Sequence, residues 1–172
     1  MCSLKNSKTV RRAWALFAML MLHTAVFAQH APDFAEKFMS IHKADSTLKC
    51  ITVSPKMMEQ LVKSYDDVKP ENIVQAIAKL KSARIVTGHA ENYRLAEELL
   101  QRNSQRFKAQ QAYQTEVHRG AFYTRKDKNG DTVELVMICE ELQRNKFIIV
   151  NLTGDIDEEF LCFLYNNKSF KN

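Results

Sequence analysis

YQTEVHRGAFYTRKDKNGDTVELVMICEELQRNKFIIVNLTGD, residues 113–155, shifts the chain from a helical to an alternating period. Tyr113 to Arg125 is strand-like, with a bulge or bend expected at Gly120, where a missing side chain lets a strand kink. Asn129-Gly130 signals a two-residue hairpin turn, because both central positions of that turn take positive φ. Asp131 to Cys139 is then the return strand, Gln143-Arg144-Asn145 the next turn, and Lys146 to Leu152 a third strand. Three sequential strands with short turns form an antiparallel meander, which Gly154 ends. Asp155 is placed to cap a last helix, with Glu158 at the capping-box position ahead of Phe160, Leu161 and Leu164.

Upstream of the meander, helical spacing dominates. Residues 33–43 carry Phe34, Phe38 and Ile41 on one stripe, with Pro32 just ahead. Leu48 to Val53 is a short β-branched run. Ser54 then caps a helix whose first position is Pro55, where no amide donor is needed. Met57, Met58, Leu61, Val62 and Tyr65 recur along it, and core packing is a better reading of that stripe than an adaptable binding face. Asp66 to Lys69 is a polar break. Pro70 opens a segment with Ile73, Val74, Ile77 and Leu80 on one face. Ala83 to Thr87 reads as a strand stopped by Gly88, and residues 91–108 read as a helix with Tyr93, Ala96, Leu100 and Phe107 near one stripe.

Mixed helices followed by a run of strands define an α+β class. The expected architecture is a mainly antiparallel sheet of about five strands with helices packed on one face, the C-terminal three-strand meander and a final helix. Such a sheet leaves its other face to water, and a bare face or an edge strand is where a partner docks. No linker, repeat or low-complexity tract divides the chain, and it has only four glycines and three prolines, so residues 29–172 read as a single α+β domain.

The first 28 residues differ from that domain. Lys5, Lys8, Arg11 and Arg12 form a positive head, an apolar run follows from Ala13 to Leu22, and Val26-Phe27-Ala28 supplies small residues at a cleavage site. These are the three parts of a secretory signal peptide, residues 1–28, with cleavage between Ala28 and Gln29. The run is too short for the ~20 residues of a spanning helix, so no stable membrane span is expected after cleavage. Cys2 lies ahead of the run, not at its end, which excludes a lipid anchor there.

The whole chain carries a formal charge of +5, which invites a nucleic-acid reading. The leader contains four of the 25 basic residues and no acid, so the domain keeps 21 against 20 acids, about +1. Phosphate binding needs a clustered basic excess, and none exists; nucleic acid is excluded as a partner.

Three cysteines remain in the domain: Cys50, Cys139 and Cys162. An odd number cannot pair completely within one molecule. A Cys50–Cys139 bridge and burial as free thiols both stay open, and Cys162, opposite Phe160 and Leu164 on its helix, is expected at the surface. There is no C-x-x-C pair, which removes a thioredoxin-like role.

Nothing else in the residues carries chemistry by spacing. His30, His42, His89 and His118 are scattered, without an H-E-x-x-H or Cys/His ligand pair, so no metal site and no cofactor is assigned. No nucleophile elbow exists, and a Cys139 or Cys162 nucleophile with His89 or His118 as base needs the fold to assemble it. The acid pairs Asp66-Asp67, Glu140-Glu141 and Asp155-Asp157-Glu158-Glu159 are better explained by turns and helix starts than by a two-carboxylate hydrolase. Asn151-Leu152-Thr153 and Asn167-Lys168-Ser169 fit the glycosylation sequon, the first inside an expected strand. No catalytic residue is assigned.

Glu134-Leu135-Val136-Met137 followed by Phe147 to Asp157, ending Leu152-Thr153-Gly154-Asp155-Ile156-Asp157, resembles the close of the domain-of-unknown-function family 4252. The resemblance covers most of 33–165, with a signal peptide, a Phe-rich first helix, a short strand and a Met-rich helix in the same order. It implies a small exported protein of the Bacteroidetes cell envelope, in the periplasm or envelope-associated, and through such proteins' association with sigma-factor genes it hints at envelope signalling. Its distinctive motifs are structural, so it carries over no functional residue. The reading favoured is a non-enzymatic protein-interaction domain with a protein partner in the envelope, its oligomeric state open. The alternatives are a periplasmic hydrolase or small-ligand-binding protein with a site formed only in three dimensions, around His89 or His118, and a structural or adhesive subunit.

Overall fold

The computed structural model describes residues 31–64 and 71–166; the expected leader and its Ala28–Gln29 cleavage position lie outside them. The element order is α1 (Phe34–Ile41), β1 (Lys49–Val53), α2 (Pro55–Ser64), α3 (Glu71–Ala78), β2 (Leu80–His89), α4 (Glu91–Arg102), β3 (Lys108–Gln114), β4 (His118–Lys126), β5 (Thr132–Glu141), β6 (Lys146–Gly154) and α5 (Glu158–Asn166). The strands form one six-stranded antiparallel sheet in the order β1-β2-β6-β5-β4-β3. The α+β class therefore holds, with one strand more than expected.

The extra strand is β3, which takes Tyr113 and Gln114 from the stretch read as one strand from Tyr113 to Arg125 and adds 108–112 to them; that stretch is broken at 115–117 and not at Gly120. The Thr115 hydroxyl accepts from the Val117 and His118 amides, and the Thr115 amide donates to the His118 carbonyl. A threonine-centred turn of this kind needs no Gly, Pro or Asn to mark it. Gly120 sits inside β4, where the absent side chain makes room for the Tyr113 ring.

Other boundaries move for equally local reasons. The helix expected over 91–108 ends at Arg102, because Asn103 turns its side chain back to the Leu99 carbonyl and releases 108–114 as a strand. The 129–130 turn is a longer loop: β4 ends at Lys126 and β5 begins at Thr132, and the Asp127 carboxylate accepts from the Asn129 and Asp131 amides. Only Gly130 of that pair has positive φ. At the next turn Asn145 does adopt positive φ. β2 continues through Gly88 to His89, with Leu48 packed where a Gly88 side chain would stand. The cap of α5 is Asp157, whose carboxylate accepts from the Phe160 amide, and not Asp155. Ser54 caps α2 as expected, accepting from the Met57 amide.

The expectation of helices on one face is overturned. Two separate cores flank the sheet. On the front, Phe34, Ala35 and Phe38 of α1 and Tyr93, Ala96 and Leu100 of α4 pack on Val86, Ala121, Tyr123, Val136, Ile138, Phe147 and Ile149. On the back, Met58 of α2, Ala76 of α3, and Phe160 and Leu161 of α5 pack with Ile156 on Ala83, Phe122, Leu135 and Met137. Strand side chains alternate between these layers except at the register shifts near Leu80, Ala109 and Arg125. Strands buried from both sides explain the near-continuous burial from Glu134 to Glu140 in β5. Ile41, assigned to the core stripe, is 53% exposed at the last residue of α1. Of the methionine stripe, Met58 is buried and Met57 exposed; the side chains of Leu61, Val62, Tyr65 and Ile73 lie outside the described residues.

Candidate functional site

Four places hold chemistry-bearing side chains. The first is buried beneath α1. A helix start leaves its first amides without intrahelical acceptors. Here the Phe34 amide donates to Glu134 Oε1 at 2.7 Å, the Ala35 amide to Asn151 Oδ1 at 2.8 Å, and the Glu36 amide to Asp33 Oδ1 at 2.9 Å. Glu134, with 0% exposure, also accepts from Asn151 Nδ2 at 3.1 Å and from Arg125 Nε at 2.7 Å. Arg84 pairs with Asp33 and reaches Glu36 at 3.6 Å. Every polar atom in this cluster is matched, and the carboxylate lies at the positive end of the helix dipole. It is a docking clamp for α1 and offers no free group for catalysis. Asn151 is consumed in it, so the 151–153 sequon is buried; the 167–169 sequon lies outside the described residues.

The second place is a hollow of about 330 Å³ between α4 and the β3 edge, lined by Tyr93, Glu97, Ala112, Gln114 and Arg119. Arg119 is already engaged: it pairs with Glu140 and stacks 4.5 Å above the Tyr93 ring. Burial pushes the Tyr93 hydroxyl up to about 12.

The third is a hollow of about 250 Å³ lined by Val117, His118, Glu141, Gln143 and Arg144. His118 and Glu141 are direct cross-strand partners, and Cys139 lies diagonally from His118 on the same face. The fold thus brings together one acid, one imidazole and one thiol that the sequence left apart. The thiol is poorly suited to attack. Burial first of all pushes Cys139 up, which keeps it protonated, whereas a nucleophilic cysteine needs a depressed value. Glu141 is shared with Arg144 and Lys146. Cys139 neighbours Tyr113, whose buried hydroxyl makes no well-aligned hydrogen bond. His89 ends β2 at the surface, in the same cross-sheet row through Lys146 but two strands from Glu141, and His42 packs against Phe38. His30 lies outside the described residues. Among the described residues, no three His, Cys, Asp or Glu side chains converge at metal-ligand range.

The fourth place is the β1 edge. Among the described residues β1 pairs only with β2, and Lys49, Cys50, Ile51 and Thr52 are all exposed. One apolar row runs across the back of the sheet through directly paired residues: Phe122, Met137, Val150, Ile85 and Ile51. Phe122 and Met137 are buried, Val150 and Ile85 half-buried, and Ile51 is 61% exposed. The row leaves the core and reaches water at the edge strand. Cys50 points to the front of the sheet, beside Val86, while Cys139 points to the back, three strands or about 14 Å away. A bridge between them is geometrically closed, and Cys50, Cys139 and Cys162 are all free thiols. Cys162 is exposed, as its helix position implied.

A six-stranded antiparallel sheet clasped by helices on both sides, with β1 and β3 as its edge strands, is the class of protein defined here. The model of the family described as Domain of unknown function (DUF4252) matches residues 42–161, and the chain belongs to that family. No curated protein matches it. The clamp residues Glu134 and Asn151 fall within the stretches on which the resemblance rested. Nothing in the spacing of the sequence marked them as partners of α1. The available signal was that both are polar residues at inward-facing strand positions.

Proposed function

We propose that this chain is exported to the bacterial cell envelope and acts there as a protein-interaction domain, in envelope signalling, with β1 as its contact strand. The observation that carries the reading is the exposed apolar end of the cross-sheet row at Ile51, on an edge that no other strand of the described residues pairs with. Strand addition to such an edge supplies main-chain hydrogen bonds, and alternate side chains supply selectivity. Export is supported by the basic head, apolar run and small-residue site of residues 1–28. None of the described helices is long and apolar enough to cross a membrane.

The test is capture from crosslinked envelope extracts by the native chain and by Ile51→Lys. The expected result is a specific partner recovered by the first and lost with the second. Equal recovery by both would overturn the role of β1. Export is tested by the N-terminal residue of the protein isolated from the envelope, expected to be Gln29. Trp14 is the chain's one tryptophan and lies in the leader, so that material is expected to show no indole emission.

A second reading rests on the hollow where His118 adjoins Glu141: a small-ligand carrier or hydrolase. It requires that His118→Ala abolish binding or turnover while Ile51→Lys leaves both intact.

A further inference from the structure

Resting on the reading of β1 as the contact strand, we propose that its partner is a second copy of this chain. The two β1 strands pair antiparallel about a two-fold axis at Ile51, making one continuous sheet across the dimer.

The register follows from the limits of the strand. β1 spans only Lys49–Val53. Pro55 opens α2 two residues beyond its end, and the turn around Asp45, whose carboxylate accepts from Thr47, precedes its start. Full overlap of two such five-residue strands requires that their midpoints coincide, and the midpoint is Ile51. A two-fold interface is self-complementary by construction: Ile51 meets Ile51 of the other copy, Cys50 meets Thr52, and Lys49 meets Val53.

Three features of the molecule favour this occupant. The apolar row that ends at Ile51 becomes continuous from one core to the other, covering the side chain that is most exposed among the large apolar residues described. Lys49 is the only charged residue of β1. In this register the two Lys49 side chains stand at opposite ends of the strand pair, ~13 Å apart along the strands and beyond the ~8 Å over which salt leaves charges coupled. Each lies across from Val53, whose methyls its methylenes can cover. The opposite edge is built differently. β3 carries a register shift between Ala109 and Gln111 and presents Lys108, Gln110, Ala112 and Gln114 to water, devices that discourage pairing. Of the two edges in the described residues, β1 is therefore the one suited to a second copy, which closes the assembly at two chains. A five-residue strand pair is small beside the ~1,600 Å² of a standard interface, so the dimer belongs to the weak, concentration-dependent class.

The geometry makes a discriminating crosslinking experiment available. Directly opposite residues lie about 4.5–5.5 Å apart, within disulfide range. Cys50 and Cys50 of the other copy are offset by two residues and lie ~8 Å apart, outside that range. In a Cys162→Ser background of the exported protein, Thr52→Cys with Cys50 retained is expected to form disulfide-linked dimers on mild oxidation. Cys50 alone, and Thr52→Cys with Cys50→Ser, are expected to do so at least tenfold more slowly. Sedimentation of the native exported chain is expected to show mass rising toward two chains with concentration, and Ile51→Lys to weaken that association at least tenfold while leaving circular dichroism and the unfolding midpoint in place.

A single-chain mass at every concentration up to the millimolar range would overturn the dimer, as would a Cys50/Cys52 pair that crosslinks no faster than the single-cysteine controls. If the chain stays monomeric while Ile51→Lys still loses a captured envelope protein, the second copy is wrong and β1 as contact strand stands. If Ile51→Lys changes neither, both readings fall.

Discussion

Both faces of the sheet carry an apolar core, and the front adds buried directional bonds to it. The front is tied to α1 by directional bonds: three helix-start amides meet Glu134, Asn151 and Asp33, with Arg125 and Arg84 balancing the carboxylates. The back is held mainly by apolar contact among Met58, Leu80, Phe122, Met137, Ile156 and Phe160. Its polar tie Lys79–Asp157 sits at the periphery. Directional bonds fix the position of α1 uniquely, because displacement leaves buried groups unpaired. Apolar contact thins toward the β1 edge, where Val53 still packs against the back core while Ile51 is exposed. The surface available for partners is thus a consequence of how the back is packed.

The sharpest way to break the comparison is at the clamp. Glu134→Ala removes the acceptor for the Phe34 amide and for Asn151 Nδ2 and leaves the partly exposed Arg125 guanidinium without its partner, and each buried donor left unpaired costs about 1–3 kcal/mol. The urea unfolding midpoint should fall accordingly, and amide exchange in α1 should accelerate more than in α5. Equal acceleration in both helices would show that the two layers open together and that the clamp is not particular to the front.

Strand existence and the α+β class were legible because β-branched and apolar residues crowd Val133–Cys139 and Phe147–Leu152, a pattern that backbone sterics and burial impose locally. Coverage of both faces was not legible. Each helix carries one apolar stripe, but the stripe does not say which side of the sheet its connections deliver it to, and that choice depends on contacts distant in sequence. The Thr115 turn and the Asn103 helix end were missed because a single hydroxyl or amide, forming a bond two to four residues away, looks in sequence like any polar surface residue. The clamp was missed for a related reason. Glu134 and Phe34 are a hundred residues apart, and their bond exists only once β5 and α1 are packed. Asn151 drew notice as a sequon, a reading its burial removes.

Gly120 tests the back layer with a smaller expected loss. A Cβ there would stand 2.5 Å from the Tyr113 hydroxyl and 2.7 Å from the Ile138 carbonyl oxygen. The ring end can shift, but the carbonyl belongs to the β4–β5 ladder and cannot. Gly120→Ala should therefore destabilise by about 1–3 kcal/mol, the range of overpacked cores, and should alter the ring environment of Tyr113 in near-ultraviolet circular dichroism. An unchanged midpoint would mean the back layer yields more readily than its packing implies. Burial holds the Tyr113 and Tyr93 hydroxyls above their ordinary range. A raised value means the neutral form is favoured by folding, so this contribution is complete below pH ~10 and is lost as pH rises through the folded value. Phenolate absorbance should accordingly lag behind that of free tyrosine on alkaline titration and catch up on unfolding.

The smallest effects belong to the margin of the back layer. The Phe160 amide, bonded to the Asp157 carboxylate and helped by Lys79, holds that carboxyl below its ordinary value. A depressed carboxylate stabilises above its unfolded value and loses that contribution as pH falls through the folded one. The start of α5 should fray on acidification below pH ~4, visible as faster amide exchange at Phe160 and Leu161, and Asp157→Ala should lose about 1 kcal/mol and most of that pH dependence. At the far end of the same face, Ile51→Lys should change stability by less than about 1 kcal/mol, the span of strand propensities at an exposed site. This near-null result is informative because Ile51 terminates the same apolar row as Phe122, where truncation to alanine is expected to cost about 3–5 kcal/mol. A steep gradient along one row of paired residues would show that the fold is secured at β4 and β5 and that β1 is retained for what it meets outside the chain. A large loss at Ile51 would instead make β1 part of the core, and the case for an open contact strand would fail with it.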